Sequence, residues 1–449
     1  MSFKQSQQKE IYDIIGVGIG PFNLGLAAML DETEGKKALF FEKKTEFNWH
    51  SGMLIDGTTL QVPFFADLVS MANVRSKYTF LNYLQKHNRL YHFYFLENFH
   101  IPRKEYNHYC RWVASQIDSC SFGMGVEHIQ PVEDTDSSVY EVIVASLETG
   151  ETETYYTKHL AVGIGTIPSV PSHMEKKLGA RVFHSSQYLD RKEEILNANS
   201  VTVVGSGQSA AEVFYDLAQH QDNDSYSLNW FTRSKGFFPM EYSKLGLEYF
   251  SPDYTNFFYN LPSSKKDELL KKQDLLYKGI SIDTIADIYN LLYEKSVGQH
   301  KPDIHLQAMT ELVHLERSED THLLTLRQNV TGEVFELKSD VIVFGTGYAP
   351  SFPHFLMKMQ DQIQWDSKNR YQITSDYRLE TKGLQNNHIF IQNGELHTHG
   401  VGAPDLGLGA HRNAVIINTL FEKEMYPVST KNVFQNFGTE PSWKPATVR

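Results

Sequence analysis

Three stretches of this 449-residue sequence predict an α/β fold built from two separate parallel-sheet units. Ile11–Leu30, IYDIIGVGIGPFNLGLAAML, runs from an apolar strand through Gly16, Gly18 and Gly20 into an apolar helix. Val201–Glu212, VTVVGSGQSAAE, repeats that order with Gly205, Gly207 and Ala210, the third small residue letting helix and strand pack closely. Asp340–Tyr348, DVIVFGTGY, is a further buried strand ending in a Gly-Thr-Gly turn. A strand, a glycine turn and a helix, in that order, bring backbone N–H groups and a helix N-terminus against a pyrophosphate. The first two stretches therefore predict two Rossmann-like dinucleotide-binding units.

Length and composition bound the rest. The chain is too long for one hydrophobic core and calls for two or three domains. A net charge of −12 disfavours nucleic acid as a partner. Aromatic residues are plentiful, 24 Tyr and 28 Phe, as suits stacking on flat rings. Cys110 and Cys120 form neither a CxxC pair nor a disulfide framework, so a reducing cytoplasm is expected and a flavin disulfide reductase is not. Three glycines, Pro21 and the charge of Asp13 argue against a membrane span at Ile11–Leu30. The polar leader MSFKQSQQKE has no clear basic region of the kind a signal peptide carries.

Taken in order, Ala38–Glu42 reads as the second strand of the first sheet. Glu42 lies 24 residues past Gly18, near the spacing at which a carboxylate meets a ribose hydroxyl. Phe47–Arg75 is too rich in Pro and Gly for a regular helix and reads as a long ordered loop, a feature more often functional than not. Ser76–His87 and Arg103–Gln116 read as helices, with the aromatic-dense Tyr91–Phe99 between them. Periodicity assigns most of these aromatics, with Tyr106, Tyr109, Trp112 and Val113, to the core. His159–Thr166 is an apolar strand ending in Gly163 and Gly165. In the second unit Leu228–Thr232 ends in Arg233, with Lys235 close by. An arginine there suits the 2′-phosphate of NADP. The late strand Asp340–Tyr348 is assigned to the first sheet. This pattern is an FAD domain interrupted by an NADPH domain, and two such cofactors imply hydride transfer from nicotinamide to flavin. The expected division is 1–197 and 336–449 for the FAD domain, the latter with a C-terminal active-site loop. The NADPH domain is expected at 198–335, with a helical, aromatic substrate insert at about 236–296.

GVGIGPFNLGLAA, FNWHSGM, LQVPFFADLVSMANVRSKYTFLNYL, VVGSGQSAAE and FGTGY, in this order, resemble the flavin-dependent N-hydroxylating monooxygenases of siderophore biosynthesis over essentially the whole chain. The resemblance implies a small, mostly helical substrate region beside the two dinucleotide domains. It also implies FAD reduced by NADPH, reaction with O2 to a C4a-hydroperoxyflavin, and oxygen transfer to a neutral primary amine, with no catalytic side chain of the protein's own. Gly16, Gly18, Gly20, Pro21, Glu42, Trp49, His50 and Gln61 match flavin contacts of that family. Gly205, Ser206, Gly207, Gln208, Ser209 and Arg233 match its NADPH contacts, and Tyr348 and Leu408 fall near the two cofactors. A homo-oligomer, dimer or tetramer, is implied as well.

Amino-acid-using relatives place a lysine where this chain has Ala66, and a serine at a position aligned with Gly407 in PDLGLGA. A carboxylate left desolvated and unpaired is costly, so losing both groups points to a decarboxylated substrate, cadaverine or putrescine. Tyr242, Glu248, Tyr249 and Asp253 are candidates for the distal ammonium. His397, His399 and His411 are not taken as a metal site, and Cys110 is expected to be a core residue. The alternatives are hydroxylation of L-lysine at N6 or L-ornithine at N5, a Baeyer–Villiger or sulfur oxygenation, and a non-catalytic flavin redox sensor.

Overall fold

The computed structural model describes residues 10–133, 138–221, 225–298, 301–318, 321–383 and 386–439; positions 1–9 of the polar leader lie outside them. Strand Ile11–Val17 buries Ile14, Ile15 and Val17 in near-continuous succession, as a parallel strand covered on both faces does. It pairs in parallel with Ala38–Glu42 on one side and Thr152–Val162 on the other. Cys120–Phe122 and Ile389–Ile391 add parallel edges, and Ser138–Ser146 and Met124–Glu133 extend the sheet antiparallel, giving seven strands. Helix Pro21–Asp31 packs Leu24, Leu26, Ala27 and Met29 against this sheet, with Pro21 at its first turn where a missing N–H costs nothing.

The second sheet is wholly parallel, in the order Ile304–Gln307, Ser227–Phe231, Ser200–Val204, Val341–Phe344 and Val182–His184. Helix Gln208–His220 covers it through Ala210, Val213, Phe214 and Leu217. Assignment of the late strand Asp340–Tyr348 to the first sheet is thus corrected: Val341–Phe344 pairs residue for residue with Val201–Val204. Packing explains it, since a Cβ on Gly345 would stand 2.5 Å from the Ala210 Cβ, so this turn seats directly on the second unit's helix. The late strand of the first sheet is instead the three-residue Ile389–Ile391. The chain crosses between the units on two short antiparallel strands, Thr166–Pro168 and Tyr348–Pro350. A three-stranded meander, 310–339, hangs from the second unit, and five helices between Lys244 and Lys295 form the helical region.

Most other elements fall where the pattern places them. Thr79 caps the helix Phe80–Lys86, and Arg103–Ala114 buries Tyr106, Tyr109, Cys110 and Val113. The aromatic stretch between them departs from expectation. Helix Leu90–Leu96 buries none of its residues, and Tyr91, Tyr94, Phe95 and Phe99 are 62–78% exposed. Consecutive aromatics occupy every face of a short helix, and only one face can reach a core.

Candidate active site

The two glycine turns face each other across one cleft of about 2630 Å³. Pockets for a single small ligand run to roughly 300–1,000 Å³, so this space suits more than one extended molecule. On the first side, Gly20 and Pro21 line the cleft at the N-terminus of helix Pro21–Asp31. Gly16 and Gly18 lie beneath, where they permit close packing. A Cβ on Gly16 would fall 2.0 Å from the Phe40 ring, and one on Gly18 (φ +85°) 2.7 Å from the Gly163 carbonyl. The buried Asn23 holds the turn by donating from Nδ2 to the carbonyls of Val17, Gly18 and Ala161 at 2.8–3.2 Å. Glu42 stands at the cleft wall, its Oε2 accepting the Ile19 N–H at 2.9 Å.

Loop Phe47–Arg75 brings Trp49, His50, Gln61 and Ala66 to the same cleft. His50 adopts a left-handed backbone (φ 50°), uncommon outside glycine, and its ring meets Tyr348 edge-on at 5.3 Å. Desolvation, with Arg103 and Lys44 nearby, pushes its pKa down to about 4, so the imidazole is neutral at pH 7. Gln61 Nε2 and Tyr348 Oη are buried at the cleft wall without a hydrogen-bond partner among the described residues. Unsatisfied buried polar atoms are rare, and two facing one cleft fit a bound group with its own donors and acceptors.

On the second side Gly205, Ser206, Gly207, Gln208, Ser209 and Arg233 all line the cleft. Gly205 (φ +142°) approaches the next crossover so closely that a Cβ would sit 2.2 Å from the Gly345 carbonyl oxygen. The Gln208 side chain is committed within the protein. Its Nε2 donates to Glu212 at 2.9 Å and Thr284 at 3.0 Å, and its Oε1 accepts the Ser281 N–H at 2.7 Å. Only its backbone, at the first turn of helix Gln208–His220, is left to a ligand. Arg233 and Lys235 are exposed at the cleft and make no ion pair among the described residues.

The third wall carries Ala66, Tyr242, Gly407 and Leu408. Ala66 and Gly407, 341 residues apart in sequence, are neighbours: a Cβ on Gly407 would touch the Ala66 Cβ at 3.9 Å. Three of the candidates for binding an ammonium, Glu248, Tyr249 and Asp253, lie outside this wall and tie down the C-terminal tail. Glu248 accepts the N–H groups of Phe434 at 3.1 Å and Gln435 at 2.9 Å. Asp253 accepts from the Asn432 N–H at 3.0 Å and its Nδ2 at 2.9 Å, and Tyr249 packs on Phe437 with ring centres 5.1 Å apart. Asp253 sits in the first turn of Pro252–Tyr259, where its carboxylate points to the tail rather than the cleft. Doubly substituted Glu248→Ala/Asp253→Ala protein is expected to be cut severalfold faster within residues 427–438 in limited proteolysis, with cofactor content unchanged.

Two groups escape the sequence reading. Arg103 joins the units, with Nη1 and Nη2 donating to Glu212 Oε2 and Oε1 at 2.8 and 2.6 Å. Asp405 caps the turn Leu406–Leu408 through Gly407. Arg103 stands in no local motif, with 109 residues separating the ion pair, and Asp405 lies inside PDLGLGA, where the sequence reading singles out only Gly407 and Leu408. His397 Nε2–H donates to the Tyr371 carbonyl at 2.8 Å, and His399 stacks on Tyr377 with centres 4.5 Å apart.

The family model described as L-lysine 6-monooxygenase/L-ornithine 5-monooxygenase matches residues 10–350. The chain is 43% identical over 441 residues to the rhizobactin siderophore biosynthesis protein RhbE of Rhizobium meliloti, spanning 96% of each. It is 41% identical over 436 residues to a putrescine N-hydroxylase of Shewanella oneidensis, covering 97% of this chain and 86% of the relative. Its fold is similar to the crystal structure of DfoA bound to FAD, the desferrioxamine-pathway cadaverine monooxygenase of Erwinia amylovora. That match has a TM-score of 0.92 at 38% identity, covering 97% of this chain and all of the other.

Proposed function

The chain belongs to the L-lysine 6-monooxygenase/L-ornithine 5-monooxygenase family, and from that premise we propose that it N-hydroxylates an aliphatic diamine, cadaverine or putrescine, for hydroxamate siderophore synthesis. The observation that carries the diamine reading is the Ala66–Gly407 pair, whose own side chains offer neither cation nor hydroxyl to a carboxylate. When bound, FAD supplies hydride acceptance from NADPH and activation of O2, one oxygen atom passing to the amine and the other leaving as water.

The protein's own part is to bind, orient and exclude water. We assign the flavin pyrophosphate to the turn at Gly20–Pro21, a ribose hydroxyl to Glu42, and polar edges of the ring system to Gln61 and Tyr348. Trp49, the neutral His50 and Leu408 would fill the wall around it. The NADPH pyrophosphate goes to Gly205–Ser209, through backbone N–H groups, and the 2′-phosphate to Arg233. Free guanidinium at the cleft supports the last assignment. Arg233→Ala is expected to raise the KM for NADPH about ten- to a hundredfold, the worth of a charge-assisted hydrogen bond, and to leave that for NADH nearly unchanged. Initial rates of FAD reduction with each nucleotide check this.

Incubating the FAD-loaded enzyme with NADPH, O2 and each of cadaverine, putrescine, L-lysine and L-ornithine, with the hydroxylamine trapped and quantified, tests the function. Product from a diamine well above that from the amino acids is expected. Amine-independent NADPH oxidation without product would favour a redox sensor instead. We further propose that copies associate through the exposed aromatic helix Leu90–Leu96 and work in the cytoplasm. Light scattering should give a dimer or larger, and Tyr91→Glu/Phe95→Glu should lower that mass. Among the described residues no helix is long and apolar enough to cross a membrane.

A further inference from the structure

Asp405 lies at the bend of the C-terminal loop that forms the third wall of the cleft. Its Oδ1 accepts the Gly407 N–H at 2.8 Å, so the carboxylate is fixed in place by the turn it caps. The space above Gly407 is shared: a Cβ there would stand 2.8 Å from Asp405 Oδ1 and 3.9 Å from the Ala66 Cβ. No lysine, arginine or histidine forms an ion pair with this carboxylate among the described residues. Arg412, the nearby cation, is engaged with the buried Glu395 at 2.8 Å. His411 also lines the cleft, but burial pushes its pKa down to about 4 and leaves it neutral. Burial likewise pushes the Asp405 carboxyl up to about 6, which still leaves it an anion above neutral pH. A desolvated anion without a counter-ion is costly unless a ligand brings the missing charge.

We propose that Asp405 receives the distal ammonium of the diamine, in the space beside Ala66. This rests on the diamine reading above. It also accounts for discrimination against amino acids, because the α-carboxylate of lysine would be brought against a like charge. Other carboxylates line the cleft, Asp283 and Glu42 among them, but Asp405 is the one that adjoins Gly407 and, across it, Ala66.

The test is steady-state N-hydroxylation of cadaverine, 1-aminopentane and L-lysine by wild type, Asp405→Asn and Asp405→Ser. Both variants keep an acceptor for the Gly407 N–H, and FAD content and amine-free flavin reduction by NADPH report whether the fold survives. Wild type is expected to show a KM for cadaverine at least tenfold below that for 1-aminopentane. Both variants should raise the cadaverine KM tenfold or more while moving the 1-aminopentane KM less than twofold, and should narrow the preference for cadaverine over lysine. Equal losses on cadaverine and 1-aminopentane, or an unchanged cadaverine KM, would overturn the assignment and leave the diamine reading standing. Wild type that hydroxylates lysine and not cadaverine would overturn both.

Discussion

Arg103→Ala is expected to cost about 3–5 kcal/mol of stability, because it strands a buried carboxylate. Glu212 is 3% exposed and Arg103 13% exposed, and their two parallel hydrogen bonds form the fork-to-fork geometry of the strong Arg–carboxylate pair. A third bond, from Arg103 Nη1 to the Met53 carbonyl at 3.1 Å, locks the guanidinium to the loop that carries His50. The pair therefore spans the two nucleotide units, from the start of one helix to the middle of another. Gln208 contributes one neutral bond to Glu212, which cannot offset a missing charge. Urea unfolding of the FAD-loaded protein should show the loss, and flavin reduction by saturating NADPH should slow tenfold or more with FAD content retained. Arg103→Met/Glu212→Leu separates the two effects: removing both charges should restore most of the stability but not the reduction rate. A midpoint within 0.2 M urea of wild type for Arg103→Ala would show that the pair contributes little.

That pair marks where sequence reading stops. That the two glycine turns, Glu42 and Arg233 would come to one cleft was legible, because it follows from short, fixed spacings along one βα unit. The loop Phe47–Arg75 was legible by what it lacks, a helical or strand period. Membership of Val341–Phe344 in the second sheet was not, because a fully buried parallel strand looks the same whichever sheet it joins. Glu248 and Asp253 illustrate a different failure. Acids in an aromatic insert suit a cation, yet their partners are tail N–H groups some 180 residues away, which no local pattern reports. For Tyr91, Tyr94, Phe95 and Phe99 the residue types pointed inward, yet all four side chains are exposed, three on the helix Leu90–Leu96 and Phe99 just after it. Ala66 and Gly407 could be named singly from the sequence; that they adjoin follows only from the fold.

Their proximity makes Ala66→Lys the substitution with the largest expected effect on substrate choice. Ala66 is 5% exposed, so a lysine there extends its ammonium into the cleft toward Gly407 and Asp405 rather than into solvent. Two consequences act in the same direction on a diamine. The new cation occupies the counter-ion position of Asp405, and it repels the distal ammonium across a few ångströms. At an effective dielectric constant near 20, charges 4 Å apart interact by about 4 kcal/mol, and solvent in an open cleft reduces this to roughly 2–3 kcal/mol. A fall in kcat/KM for cadaverine or putrescine of about 30- to 150-fold follows. For 1-aminopentane the fall should be severalfold at most, since only volume is lost to it. L-lysine gains a partner for its carboxylate, so its kcat/KM relative to cadaverine should rise by at least the same factor. Parallel progress curves with the three amines, at fixed NADPH and O2, decide the matter. Diamine kinetics left as in wild type would mean that the substrate's far end lies elsewhere in the cleft, and that the missing cation at Ala66 has nothing to do with which amine is used.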